Sequence, residues 1–272
     1  MVLEIDPQET TTILHEFITT YVHNAGCSDV VLGLSGGIDS AVSAVLCQQA
    51  LGVKHVHCLF LPDGLTPKKD QQHQQLLIDT FNLHSTTIDI SPIVDVFTTT
   101  LTQKPQKMCV SNIKTRIRMT LLYAHANQTN SLVCGTSNKS ELLVGYFTKY
   151  GDGGVDFQPL ADLYKTQIYQ LAEYLKIPKE LISKPPSAGL WRGQTDEQEL
   201  GMRYQTLDII LHGLELKKEI TIIAKEAKVS QSEVERIRQL RIHSQHKRRT
   251  PLIPKFGVRT PGIDWREPTQ EG

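Results

Sequence analysis

Residues 29–40 read Asp29-Val30-Val31-Leu32-Gly33-Leu34-Ser35-Gly36-Gly37-Ile38-Asp39-Ser40 and continue as Ala41-Val42-Ser43-Ala44-Val45-Leu46. The run from Val30 to Leu34 is apolar without polar alternation, the pattern of a parallel strand covered on both faces. Gly36 and Gly37 then allow a sharp turn and let backbone N–H groups approach a ligand with no Cβ between. The helix that follows aims its positive end and unpaired N–H groups at the same point, so an anion belongs there, and phosphate is the usual one. Ser35 and Ser40 add two hydroxyl donors. Asp39 beside bound phosphates requires a cation between them, for which Mg²⁺ is the natural ion.

The spacing excludes two common phosphate loops. A Walker loop needs four residues between its glycines and then Lys-Ser/Thr, and a dinucleotide fold needs Gly-x-Gly-x-x-Gly. The stretch resembles instead the Ser-Gly-Gly-x-Asp-Ser loop of the ATP pyrophosphatases, which hold the β,γ-pyrophosphate of ATP and cleave at the α-phosphate.

Outward from this loop, strand and helix patterns alternate. Asp6-Pro7 reads as an N-cap and first helical position, opening a helix to about His23 with Ile13, Leu14, Phe17, Ile18 and Tyr21 on one side. Lys54 to Leu61 is a second strand, ended by Pro62-Asp63-Gly64, and Thr66-Pro67 starts a helix to about Asn82. Ser85 to Ile90 is a third strand. Ser91-Pro92 opens another helix, Ser111 to Ala126 a long one, and Leu132 to Cys134 is a fourth strand. Such alternation predicts right-handed crossovers and an α/β fold, a doubly wound parallel sheet flanked by helices. Ligands then gather at the carboxyl ends of the strands, where the central loop lies and where Leu61 to Gly64 offers an adenine shelf.

With 272 residues and 39% hydrophobic content the chain can bury an ample core, and its zero net charge gives no general attraction to nucleic acid or membrane. Five scattered cysteines without a Cys-x-x-Cys suit a reducing compartment. No basic-apolar leader or membrane-length apolar run occurs, so a cytoplasmic protein is expected.

Three further stretches carry chemistry. Gly135-Thr136-Ser137-Asn138-Lys139-Ser140-Glu141 is again a strand end passing into a helix, either with Thr136 and Glu141 serving a nucleotide and its metal, or as a plain helix start capped by Ser137. Gly145 to Asp156 holds four glycines, Lys149, Asp152, Asp156 and three aromatics, either a plain surface connection or, as those side chains favour, a ligand clamp. Lys184 to Glu197 is rich in proline, glycine and polar residues yet carries Trp191, which favours a lid over a linker. Thr115-Arg116-Ile117-Arg118-Met119 reads either as a solvated face or as a binding helix. Beyond residue 200 the chain is helical, over Leu200–His212, Lys218–Lys225 and Ser230–His243, and ends in a basic cluster that includes His246, Lys247 and Arg248.

Taken together these stretches, covering nearly the whole chain, resemble the ammonia-dependent NAD synthetases. The resemblance implies an adenine nucleotide alpha hydrolase-like fold, one domain over 1–272, with a nucleotide-binding core at about 25–165 and a lid and helical C-terminal part at about 184–250. It implies a ligase that joins ammonia to deamido-NAD with ATP and Mg²⁺, releasing AMP and pyrophosphate, and that works as a homodimer. ATP is expected on Gly33, Leu34, Ser35, Gly36, Gly37, Ile38, Asp39, Ser40, Thr136, Lys165 and Ser187. Magnesium falls to Asp39 and Glu141, and deamido-NAD to Arg116, Lys149, Asp156, His246 and Lys247. Asp39 and Lys165 act in catalysis, and Asp152 is the candidate to take a proton from ammonium. Some family members have Asp-His-Ala-Ala in place of Ser137-Asn138-Lys139-Ser140, and threonine in place of Ser187.

The chain begins only about thirty residues before the loop, and none of its cysteines has a convincing histidine partner, so no glutamine-amidase domain is expected and free ammonia is the donor. A tRNA-thiolating pyrophosphatase shares the first loop but calls for catalytic cysteines and a broader basic surface. A non-catalytic nucleotide-binding module would lack Asp39, Glu141 or Lys165, and all three are present.

Overall fold

The computed structural model describes residues 3–191 and 193–260; Arg192, within the proline-rich stretch, lies outside the described residues. Four strands, β1 (Asp29–Gly33), β2 (Val56–Phe60), β3 (His84–Thr87) and β4 (Ser131–Val133), form a parallel sheet in the order β3-β2-β1-β4. The helices are α1 (Pro7–Asn24), α2 (Ile38–Leu51), α3 (Lys68–Phe81), α4 (Ser91–Thr100), α5 (Lys107–Thr129), α6 (Lys139–Val144) and α7 (Lys165–Tyr174), followed by α8 (Lys179–Ile182), α9 (Asp196–Leu200), α10 (Tyr204–Glu215), α11 (Ile220–Ala227), α12 (Gln231–His243) and α13 (Gln245–Arg248).

The continuous apolar run of β1 is explained by its two covers. Val30, Leu32 and Leu34 pack with residues of α1, α2 and α7, whereas Val31 turns the other way into a cluster with Ile117 of α5. The chain passes from β1 to β2 through α2 and from β2 to β3 through α3, then crosses back over the sheet through α4 and α5 to place β4 on the far side of β1. The reversal of strand order therefore falls between β1 and β4, where the loops after them diverge and leave a crevice at their carboxyl ends.

Several boundaries differ from the sequence reading. Asp6 caps α1 by accepting from the N–H groups of Gln8 and Glu9, but the buried face is Thr11, Leu14, Ile18 and Val22, with Ile13 and Phe17 exposed. Residues 13 and 17 sit on the flank of the stripe, and Phe17 spends its ring on Tyr21 and Phe157 instead. The third strand is shorter than the Ser85–Ile90 pattern because it is a polar edge, although the N–H groups of Ile88 and Ile90 still donate to Phe60 and Pro62. The helix expected over 200–212 is two helices, broken at Gly201 (φ +72°). Helices α10, α11 and α12 build a second core from Leu207, Ile210, Leu211, Ile223, Val234 and Ile237, into which Val144 and Tyr164 of the α6–α7 region also pack.

Candidate active site

A cleft of about 540 Å³ opens at the carboxyl ends of β1, β2 and β4, a size suited to a small-molecule ligand. Its floor is the loop after β1. Gly36 has φ +74°, and a Cβ there would stand 2.5 Å from the Asp70 carbonyl oxygen, so glycine is required both for conformation and for space. Ser40 Oγ accepts from the Ser35 N–H at 3.2 Å and donates to the Gly37 carbonyl at 3.0 Å, which knits the turn. Gly37 is the N-cap of α2 and no side chain caps that terminus. Backbone donors and the helix dipole are thus presented at the cleft.

The loop after β4 solves the same junction differently. Asn138, not Ser137, caps α6: its Oδ1 accepts the Glu141 N–H at 3.1 Å while a Glu141 carboxylate oxygen accepts the Asn138 N–H at 3.4 Å. The Asn138 amide also donates to Asp39 Oδ1 at 2.9 Å, tying the two loops together. Asn138 can reach back because it stands outside the first helical turn, where its side chain spans both the terminus and the neighbouring loop.

Where the loops meet stands Lys165, the first residue of α7 and 1% exposed. Its ammonium contacts Asp39 Oδ2 and lies 3.3 Å from Glu141 Oε1. Burial opposes the lysine's charge, but the two carboxylates outweigh it and hold its pKa above the ordinary value. Burial acts on Glu141 in the other direction, pushing it up to about 8 against the pull of Lys165. Asp196, at the start of α9, is buried nearby and accepts from the Ala188 N–H at 3.0 Å and the Tyr204 hydroxyl at 3.1 Å. Burial raises its pKa, with Lys165 working against that rise.

Residues 184–191 run along the cleft with anchors at both ends. Lys184 pairs with Asp70 at 2.7 Å and donates to the Gly36 carbonyl at 3.3 Å. Lys114, buried against Asp63 at 2.6 Å, also donates to the Leu190 carbonyl at 3.4 Å. The Lys107 ammonium lies 3.9 Å from the centre of a Trp191 ring. Ser187 lines the cleft.

The family model for NAD synthase matches residues 10–251. The chain belongs to the NAD synthase family. It is 46% identical over 241 residues to an NH(3)-dependent NAD(+) synthetase of Archaeoglobus fulgidus, spanning 88% of this chain and 94% of that one. It is 44% identical over 264 residues to the protein of that name from Sulfolobus acidocaldarius, spanning 96% and 94%. Among solved structures it superimposes on an NMN synthetase of Francisella tularensis with TM-score 0.83 at 38% identity, over 93% of this chain and all of that one. An NH3-dependent NAD synthetase of Campylobacter jejuni follows at TM-score 0.79 and 34% identity, with the same coverage.

For an NAD synthase the sequence-predicted residues divide in two. Gly33, Leu34, Ser35, Gly37, Ile38, Asp39, Ser40, Thr136, Glu141, Asp152, Lys165, Ser187 and Lys247 line the cleft, with Gly36 directly beneath. Lys247 donates to the carbonyls of Gly145 and Phe147, both at 2.7 Å, fixing the glycine-rich segment. Asp152 accepts the Thr148 N–H at 2.7 Å within that segment. Arg116, Lys149, Asp156 and His246 do not line the cleft of a single chain. Arg116 and His246 are exposed, and Arg116 donates to the Lys149 carbonyl at 3.2 Å. Asp156 turns inward, accepting from the Val133 N–H at 2.7 Å and the Tyr123 hydroxyl at 3.0 Å.

Sequence reasoning missed Asp196, Lys114 and Lys184. Arg118 was grouped with Arg116, yet residues two apart on a helix point apart, and Arg118 alone reaches the cleft, donating Nε to the Leu61 carbonyl at 2.9 Å. The thiolation alternative gains no support from the cysteines: Cys47, Cys58 and Cys134 are buried, with burial pushing Cys58 up to about 12 and raising Cys134, while exposed Cys109 and half-buried Cys27 do not line the cleft.

Proposed function

We propose that this chain amidates deamido-NAD, using ATP and ammonia and releasing AMP and pyrophosphate. The observation that carries the reading is the Lys165 ammonium set between Asp39 and Glu141 at the meeting point of an uncapped phosphate loop and a second strand-to-helix turn. The first loop, with Ser35, Ser40 and the α2 terminus, holds the β,γ-phosphates, while Thr136 and Ser187 contact the rest of the nucleotide. The nicotinate carboxylate attacks the α-phosphorus, the bond to the β-phosphate oxygen breaks, and pyrophosphate leaves. Ammonia then adds to the activated carbonyl, the C–O bond breaks and AMP departs. Lys165 offsets negative charge on the α-phosphoryl group and leaving group. Asp152, on the cleft wall, accepts the proton that nitrogen sheds.

The residues fit Mg²⁺. Asp39 and Glu141 converge from two loops on one edge of the cleft, where a bound cation would favour the ionised form of both. One or two carboxylates completed by substrate phosphates is the donor set this ion takes. Bound there, it supplies charge neutralisation to the phosphates.

The pairing of exposed Arg116 with Lys149, outside the single-chain cleft, supports a homodimer in which these residues, Asp156 and His246 serve deamido-NAD with help from a second copy. Light scattering at micromolar concentration is expected to give a dimer; monomer alone would refute it. Residues 1–272 are proposed to act as one unit, since Val144 and Tyr164 enter the C-terminal core from elements that begin at the site. No helix among the described residues is long and apolar enough to cross a membrane; a cytoplasmic enzyme without membrane or nucleic-acid partners is proposed on the chain's zero net charge and scattered free cysteines.

A second reading follows from the likeness to the Francisella NMN synthetase: the same chemistry on the mononucleotide. Relatives at 40–46% identity that carry the name NAD(+) synthetase favour the dinucleotide. The test is AMP release from ATP with ammonium and either deamido-NAD or nicotinate mononucleotide. Turnover only with deamido-NAD supports the first reading, a preference for the mononucleotide the second, and AMP release with neither acceptor refutes both. The rate is expected to rise with pH as free ammonia forms. Glutamine alone, in protein free of glutaminase, is expected to support none; turnover comparable to ammonia would overturn the assignment of donor.

A further inference from the structure

Outside the cleft, α10 carries a carboxylate that the proposed chemistry does not use. Asp208 is fully buried among the apolar residues of the C-terminal core, with Leu207 next to it in sequence and Leu211 about one helical turn on. A carboxylate is costly in such a place unless every oxygen is engaged, and here both are. One oxygen accepts the hydroxyl of Ser140, on α6 next to Glu141. The other accepts the Thr166 N–H at 2.9 Å and the Thr166 hydroxyl at 2.8 Å, on α7 next to Lys165. The Ser140 oxygen in turn accepts the backbone N–H of Lys165 at 2.9 Å.

Three donors thus converge on a group that can only accept, and each comes from a residue adjacent to one of the two charged side chains of the site. Ser140 closes the set by joining α6 to α7 directly. From this geometry we infer that Asp208 is a positioning residue, fixing the backbones of Glu141 and Lys165 relative to each other through Ser140 and Thr166. Asp208 sits too deep to touch substrate, and acts through the spacing it imposes on an ammonium and a carboxylate 3.3 Å apart. A small displacement of groups held in reactive geometry costs rate more than binding.

The inference rests on the roles proposed for Lys165 and Glu141, and the test separates the two. In the full-length enzyme, Lys165→Met and Glu141→Gln are measured first; if both retain normal turnover, that reading fails regardless of Asp208. If they lose it, Asp208→Asn, Ser140→Ala and the double variant follow. Asp208→Asn keeps shape but turns a donor toward Ser140 or Thr166, and is expected to lower kcat about 10- to 100-fold with KM for ATP changed less than about threefold. Ser140→Ala is expected to lower kcat in the same manner, and the double variant to be no slower than Asp208→Asn within about twofold, since both act through one connection. A kcat within about twofold of wild type for either single variant, a loss confined to KM, or single effects that multiply in the double variant would each overturn the inference. Should Asp208→Asn not fold, Ser140→Ala alone decides by the same criteria.

Discussion

The loops after β1 and β4 stand side by side at the switch in strand order, and each carries its chain from a buried strand into a helix. Their termini are finished in opposite ways. The first leaves the start of α2 without a side-chain cap and bends through a left-handed glycine; the second closes the start of α6 on itself with a reciprocal Asn138–Glu141 box. A terminus whose donors are already satisfied has little to offer a phosphate. The second loop therefore works through side chains, sending the Asn138 amide and the Glu141 carboxylate toward Asp39 and Lys165. One junction presents open backbone donors and the other side-chain charge, although both look alike as strand, small residues and helix.

The division predicts which kinetic parameter each variant moves. Asp39→Asn, at the junction of both loops, is expected to lose turnover by roughly 10²–10³-fold or more, the scale of removing one preorganised electrostatic contact; AMP formation under saturating ATP measures it, and near-normal turnover would break the account. Gly36→Ala forces a side chain into the left-handed region against the Asp70 carbonyl. It is expected to cost about 1–3 kcal/mol of stability and to raise KM for ATP more than it lowers kcat, as thermal denaturation and steady-state kinetics would report.

Asn138→Ala should do the reverse. It loses a cap worth about 1 kcal/mol and the hydrogen bond to Asp39, so kcat is expected to fall while KM for ATP stays near wild type. If Asn138→Ala and Gly36→Ala move the same parameter, the contrast between the loops is wrong.

The smallest effect is expected at the opposite end of β1. Burial works against the charge of Asp29, but hydrogen bonds from His55 at 2.6 Å and His57 at 3.2 Å prevail and hold its pKa below the ordinary value. A depressed carboxylate pKa adds stability above the unfolded value, about pH 4, that is lost as pH falls through the folded value. Asp29→Asn is expected to flatten the acid limb of stability, by about 1 kcal/mol or less for a group still partly open to solvent, and to leave turnover unchanged. Thermal midpoints measured against pH would show it, and a change in turnover would mean that this end of the sheet is coupled to the cleft.

The first loop was legible because its chemistry is local: glycines, hydroxyls and Asp39 act within a few residues of one another. The parallel sheet was legible too, since Val30–Leu34 shows two-sided burial in composition alone. Asp196 and Asp208 were not, because their meaning lies in partners such as Ala188, Tyr204, Ser140 and Thr166 that folding brings from separate helices. Ser137 was preferred to Asn138 as the α6 cap because both are good caps, and only the proximity of Asp39 makes the amide the better choice. The break at Gly201 was obscured by apolar residues that continue at helical spacing on either side.

In the proposed reaction the cleft brings the nicotinate carboxylate onto the α-phosphorus of ATP. Deamido-NAD labelled with ¹⁸O in that carboxylate tests it most directly. Attack on the α-phosphorus followed by amidation leaves one labelled oxygen in AMP and none in pyrophosphate, which is the result predicted by mass spectrometry of the products. Unlabelled AMP, or label in pyrophosphate, would contradict it.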